Sequence, residues 1–163
     1  MVPGPYINAE GNMGRINISR VILGGLLAGL IIDVGETVAS LIFSAQMEEV
    51  LQALGLVMPG GGTIAVFMVL GFVMGIALVW LYAAIRPRLG AGPGTAIIAG
   101  LFFWFVGYFM PLLGDSLMGM LPWGTTAIFW IWGLVEVCLA ALAGGWVYRE
   151  EGAAAERPAA PAM

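Results

Sequence analysis

The sequence predicts an all-α integral membrane protein, a bundle of four transmembrane helices, and two observations carry that prediction. The first is composition: 61% of the 163 residues are hydrophobic and only 10% are charged, with a mean hydropathy of +0.98. A soluble domain carries roughly a quarter charged residues. The second is the placement of the basic residues. There is no lysine, and the six arginines (Arg15, Arg20, Arg86, Arg88, Arg149, Arg157) fall before the first long apolar stretch, between the second and third, and after the fourth. Basic residues in short loops set orientation, so both termini and the central loop are expected in the cytoplasm, N-in and C-in. Residues 46–62 and 111–124 are then extracytoplasmic.

Each span needs roughly 20 apolar residues to cross the hydrocarbon core. Span one is expected over residues 18–44, with Asn17 and Ser19 as helix-start residues, and an exposed helical extension over residues 46–51. Met58-Pro59-Gly60-Gly61-Gly62 separates it from span two, over residues 63–85, which Arg86-Pro87-Arg88 closes. Gly92-Pro93-Gly94 precedes span three, over residues 95–111, ending at Pro111. Pro122-Trp123-Gly124 precedes span four, over residues 125–148, capped by Thr125 or Thr126. This divides the chain into a cytoplasmic segment 1–17, a transmembrane domain 18–149 and an Ala/Pro-rich tail 150–163, expected to be disordered. The polar opening Val2-Pro3-Gly4-Pro5 has neither the cationic nor the apolar part of a signal peptide, so span one is expected to act as the insertion signal.

Spans two and four end alike, with Trp80-Leu81-Tyr82 before Arg86 and Trp146-Val147-Tyr148 before Arg149, and Ala28-Gly29-Leu30 matches Ala99-Gly100-Leu101. A tandem duplication of a helical hairpin accounts for these matches. Small residues repeat at four-residue spacing: Gly25 and Gly29, Gly71 and Gly75, Ala140 and Gly144, Ala141 and Gly145. Lipid offers no hydrophobic force between helices, so backbones approaching closely at such stripes supply much of the association energy. Gly25, Gly29, Gly71, Gly75, Gly133, Ala140 and Gly144 are therefore expected at helix contacts.

Three carboxylates lie within the spans: Asp33, Glu36 and Glu136. Asp33 is 13 residues after Arg20 and Glu136 is 13 before Arg149, which places both roughly 20 Å inside the arginine-bearing interface. On span one a small and polar seam (Gly25, Gly29, Asp33, Glu36, Ser40, Ser44) is expected to face protein, and Leu27, Ile31, Val34, Val38 and Ile42 to face lipid. On span four, Gly133, Glu136, Ala140 and Ala143 form the facing seam. No basic residue lies deeper than the span ends, inside the hydrocarbon region, so these acids must hold a proton, share one, bind a cation or bond a neighbour. Asp33, Glu36 and Glu136 are the candidate proton or cation site.

Other chemistry is excluded by composition. With no histidine and a single cysteine, Cys138, the chain cannot supply the usual ligand sets for haem, iron–sulfur clusters or zinc, nor a Ser-His-Asp triad or an intrachain disulfide. No lysine exists for a Schiff base, and no P-loop or dinucleotide fingerprint occurs. No cofactor, no catalytic site, no metal site and no nucleic-acid partner are expected. Met47, Met58, Met110, Met118 and Met120 are read as packing. Trp104, Tyr108, Trp123, Trp130 and Trp132 cluster in the outer half of spans three and four, with Trp123 an interfacial anchor and Trp104 and Trp132 deeper.

The segments Ile18-Ser19-Arg20-Val21-Ile22-Leu23-Gly24-Gly25-Leu26-Leu27-Ala28-Gly29 and residues 81–100 resemble those of small four-span bacterial membrane proteins without an assigned activity. The resemblance implies a multi-pass protein of the bacterial inner (plasma) membrane and transfers no functional residue. A span-one glutamate in a four-span protein also occurs in small multidrug-resistance transporters, an analogy confined to Glu36. Two functions remain. One is an accessory or structural subunit that assembles in lipid with itself or with a larger membrane complex. The other is a proton- or cation-coupled small-solute transporter or channel using the three acids. The first is favoured, because a transport pathway needs more polar lining than one seam offers.

Overall fold

A computed structural model describes residues 15–150. The segment 1–14 and the expected disordered tail from residue 151 lie outside the described residues. Four helical rods of 25 to 29 residues are long and apolar enough to cross a membrane. The first is α1 (Ile18–Ile42), continued after a break at Phe43 by the short α2 (Ser44–Ala53). The second is α3 (Gly61–Leu89). The third is composite: α4 (Pro93–Trp104), a π-helical turn (Phe105–Phe109) and α5 (Met110–Leu117). The fourth is α6 (Trp123–Val147).

The helix ends follow from local chemistry, with three departures from expectation. Asn17 caps α1 as predicted, its Oδ1 accepting from the Arg20 N–H at 3.1 Å. Pro93 opens α4 at a position where a missing N–H costs nothing. Pro87 does not close α3, which runs on to Leu89 and stops at Gly90, whose φ of +88° favours glycine. Its last turn carries Arg86 and Arg88, placed favourably against the negative end of the helix dipole. Pro111 likewise does not end span three. A proline inside a helix removes one backbone bond and crowds the carbonyl four residues earlier, and the wider π-helical turn just before Pro111 accommodates both effects, so the rod continues to Leu117. Thr126 is not a cap: α6 begins after Pro122, and the buried Thr126 hydroxyl meets Ser116 of α5 and the Pro122 carbonyl.

Packing is organised by the glycines. Helix α1 lies against α3 and α6, and the third rod packs on α6. A Cβ on Gly25 would come within 2.5 Å of Ile76 Cα, one on Gly29 within 2.6 Å of Phe72 Cα, and one on Gly75 would strike the backbone of Gly25 and Gly29. On the other flank of α1, Gly24 meets Gly144, where a Cβ would lie 2.6 Å from the carbonyl oxygen. Gly145 faces Ala96 and Tyr82, and Ala140 and Ala141 are fully buried between. The core is completed by Leu78, Val79 and Val137.

The α1 seam is shorter than the sequence predicts. Gly25, Gly29 and Asp33 are buried, but Glu36, Ser40 and Ser44 are exposed, while Leu27 and Ile31 are half-buried instead of facing lipid. The reason is that α3 departs toward the end away from the arginines: its residues 61–70 are exposed throughout and leave that flank of α1 uncovered, while Phe43 still packs on Phe129 and Trp132 of α6. At the arginine end the rods converge. Tyr148, the aromatic counterpart of Tyr82, meets it edge-to-face at 5.9 Å, its hydroxyl accepts from the Asn17 N–H at 3.4 Å, and Arg86 lies 5.5 Å over its ring and 3.6 Å from Glu150.

Large apolar side chains cover the outside of the bundle, with Leu41 73% and Trp146 82% exposed. Such a continuous apolar surface belongs in hydrocarbon, and the chain is a multi-pass membrane protein. Orientation is tested by cysteine labelling. Ser116 is buried, so the exposed Met118 in the loop after α5 is the site to use. In a Cys138→Ala background, Met118→Cys should react with an impermeant thiol reagent on intact cells and Ala91→Cys should not; the opposite pattern would invert the topology.

Candidate intramembrane acidic site

The three acids occupy adjoining positions where α1, α3, α6 and the π-helical turn meet. Asp33 is 8% exposed, and its carboxyl fills the space that Gly71 of α3 leaves by having no side chain. Its Oδ2 has no hydrogen-bond partner. Glu136 is 5% exposed and lies against α1 at Gly35, where a Cβ would come 2.8 Å from its Cδ. Neither of its carboxyl oxygens makes a well-aligned hydrogen bond, the one donor near them being the Trp132 indole a turn earlier on α6. Since Gly35 lies between Asp33 and Glu36 in the chain, the Glu136 carboxyl sits at the level of the α1 acids. Asp33 and Glu136 nevertheless point to different neighbours, and no hydrogen bond joins them.

Glu36 is placed differently. It is exposed, one turn further from the arginine end than Asp33, and its Oε1 accepts from the Tyr108 hydroxyl at 2.9 Å. Tyr108 belongs to the π-helical turn, and its ring covers Gly133 of α6 so closely that any side chain there would collide with it. Gly133 is therefore a seat for this aromatic, and Gly71 a seat for Asp33; the two glycines serve the acids as well as helix packing.

Two indoles hold the turn that carries Tyr108. The Trp104 Nε1–H donates to the Trp130 carbonyl at 2.9 Å, the Trp130 Nε1–H donates to the Phe109 carbonyl at 3.3 Å, and the Phe109 and Trp130 rings stack at 4.6 Å. The Met110 N–H bonds back to Phe105, spanning the extra residue that defines the π form. Trp104 is thus a backbone clamp. Trp132, one turn before Glu136, packs edge-to-face on Phe43 at 5.8 Å, and its buried Nε1–H lies near the Glu136 carboxyl without forming a well-aligned hydrogen bond.

Tyr108 is the residue that sequence reasoning missed, having grouped it with the outer aromatics. Its one sequence signal is Pro111 three residues later, which perturbs the helix at that point. Chemically the site offers carboxyls without cations: the arginines of the rods, Arg20, Arg86 and Arg88, all lie in end turns away from the acids. Among the described residues no three Asp, Glu, Cys or His side chains converge as a metal chelate would require. The arrangement therefore suits a proton or a weakly held monovalent cation.

The fold defines an α-helical membrane bundle of four spans. No family model, no curated protein and no solved structure matches the chain.

Proposed function

We propose that Glu136, with Asp33 and Glu36 at neighbouring positions, is a proton- or monovalent-cation-binding group and that the protein is a small-solute transporter or channel coupled to it. The observation that carries this reading is the Glu136 carboxyl, buried on α6 against Gly35 of α1 with no carbonyl or hydroxyl of a neighbouring helix bonded to it. An acid serving as helix glue would be bonded to a carbonyl or hydroxyl of the neighbouring helix, and leaving it unbonded costs stability. A group retained at that cost on the axis of a membrane bundle is the default mark of an ion pathway.

The test is chemical. Dicyclohexylcarbodiimide converts a protonated carboxyl in apolar surroundings to an acylurea, and full-length protein in liposomes should be modified at Glu136, with Glu136→Gln removing the product found by peptide mass spectrometry. The same substitution should abolish solute-driven proton or cation flux across a panel of small solutes while leaving the protein monodisperse. An unmodified Glu136, together with unchanged flux in Glu136→Gln, would overturn the proposal.

A second observation favours the accessory reading. Glu36, Thr37 and Ser40 are exposed together with residues 61–70 of α3, and a carboxyl at that depth is costly to leave against lipid. On this reading a second copy or a larger complex of the bacterial inner membrane covers the face, no catalysis is involved, and Glu136→Gln changes only stability or partner retention.

A further inference from the structure

We propose that the groove at the arginine end of the bundle, which follows the outward stripe of α6 between α1 and α4, is a binding site for one anionic phospholipid. The groove is remote from the three acids, and the inference is independent of what they hold.

The groove is an apolar cavity of about 810 Å³, a size within the range of ligand sites. Leu139, Leu142 and Trp146 recur at three- and four-residue spacing on one face of α6 and form its floor. Ile31 of α1 borders the floor, as do Pro93 and Ala96 of α4. Trp146 and Leu139 are 82% and 54% exposed, so the groove lies open to the surrounding hydrocarbon. The seven residues from Trp146 back to Leu139 cover about 10 Å of helix axis. A chain lying along them runs from the interface toward the middle of the membrane.

The mouth of the groove sets the charge of the occupant. Arg88 is four residues before Gly92, which lines the cavity, and Arg149 is three residues after Trp146. Both are exposed, and among the described residues neither meets a carboxylate. Glu150, the one acid of this end among the described residues, is taken by Arg86. The rim therefore carries positive charge without a counter-ion. Tyr82 adds a directed donor at the cavity wall. It is 4% exposed, its hydroxyl oxygen accepts from the Gly92 N–H at 3.3 Å, and its own O–H meets no acceptor among the described residues. The occupant that answers these features is apolar along its length, anionic at one end, and provides a phosphate or ester oxygen for the Tyr82 hydrogen. A basic rim over an apolar groove between membrane helices is the arrangement that selects anionic lipid headgroups.

The test counts bound lipid. Full-length protein in detergent is titrated with phosphatidylglycerol and, separately, with phosphatidylcholine of the same acyl chains, and adducts are resolved by native mass spectrometry. One phosphatidylglycerol should bind about thirtyfold more tightly than phosphatidylcholine, and Arg88→Gln with Arg149→Gln should reduce its affinity to that of phosphatidylcholine, the worth of two arginines beside an anionic headgroup. Tyr82→Phe keeps the ring against Tyr148 and should weaken binding about fivefold, the worth of one hydrogen bond. Ala143→Phe and Leu142→Trp each fill the groove while leaving every arginine in place, and should abolish the adduct. Equal affinity for the two lipids, or undiminished binding in both groove-filled variants, would overturn the site. So would a dimer or a second polypeptide that Ala143→Phe releases, which would give the groove to a protein partner.

Discussion

Replacing Gly29 with leucine is expected to separate α1 from α3 and destabilise the bundle by about 3 kcal/mol, the upper part of the range for overpacking. The first added carbon alone would sit 2.6 Å from Phe72 Cα and 3.1 Å from the Gly71 carbonyl oxygen. Those atoms are backbone in a regular helix and cannot turn aside. Relief requires moving α1 as a rod, which also breaks the contacts of Gly25 with Ile76 and of Gly75 with both α1 glycines. In lipid no hydrophobic force offsets the lost contact. The measurement is the denaturation midpoint and monodisperse yield in detergent. Leu27 is half-buried, so the matched control is Leu30→Phe on an exposed position of the same helix, where a change within about 0.5 kcal/mol is expected. Equal tolerance at both positions would refute close packing at this seam.

Replacing Glu136 with methionine is expected to act in the opposite direction, stabilising the folded bundle by about 1–3 kcal/mol, the cost of a buried polar group without a partner. Methionine is close to glutamate in length and adapts to irregular space, so the room against Gly35 should be filled without a cavity. Carbodiimide modification at this position and any coupled flux should disappear in the same variant. That combination, greater stability with loss of ion handling, is the signature of a group kept for function at the expense of the fold. A midpoint below that of the parent protein would show that the carboxyl is bonded in the folded state, and would return Glu136 to the role of helix glue.

Much of the architecture was legible because it depends on quantities that run along one chain. Four apolar stretches of sufficient length set the number of rods, and the glycine spacing marked the faces at which backbones approach: Gly25, Gly29, Gly71, Gly75 and Gly144 all lie where a side chain would collide with a neighbour. Equal spacing from the terminal arginines placed Asp33 and Glu136 at one level, and the contact of Glu136 with Gly35 agrees with that arithmetic. Proline was read too strongly. Pro87 and Pro111 both lie inside helical rods, because a membrane helix loses more by exposing unbonded backbone to lipid than by tolerating one irregular turn.

By itself, then, the sequence determined a four-rod helical membrane bundle, since hydropathy and the 3.6-residue period are local properties. Only the tertiary structure decided which acids are enclosed. Periodicity continues the α1 seam through Glu36, Ser40 and Ser44, but a face is buried only as far as the neighbouring rod stays alongside, and α3 departs near Asp33. The meeting of Tyr108 with Glu36, 72 residues apart, depends on an extra residue in one helical turn and on a glycine in a third helix that admits the ring. No periodicity within a single helix encodes such a contact, because it is set by how three rods cross.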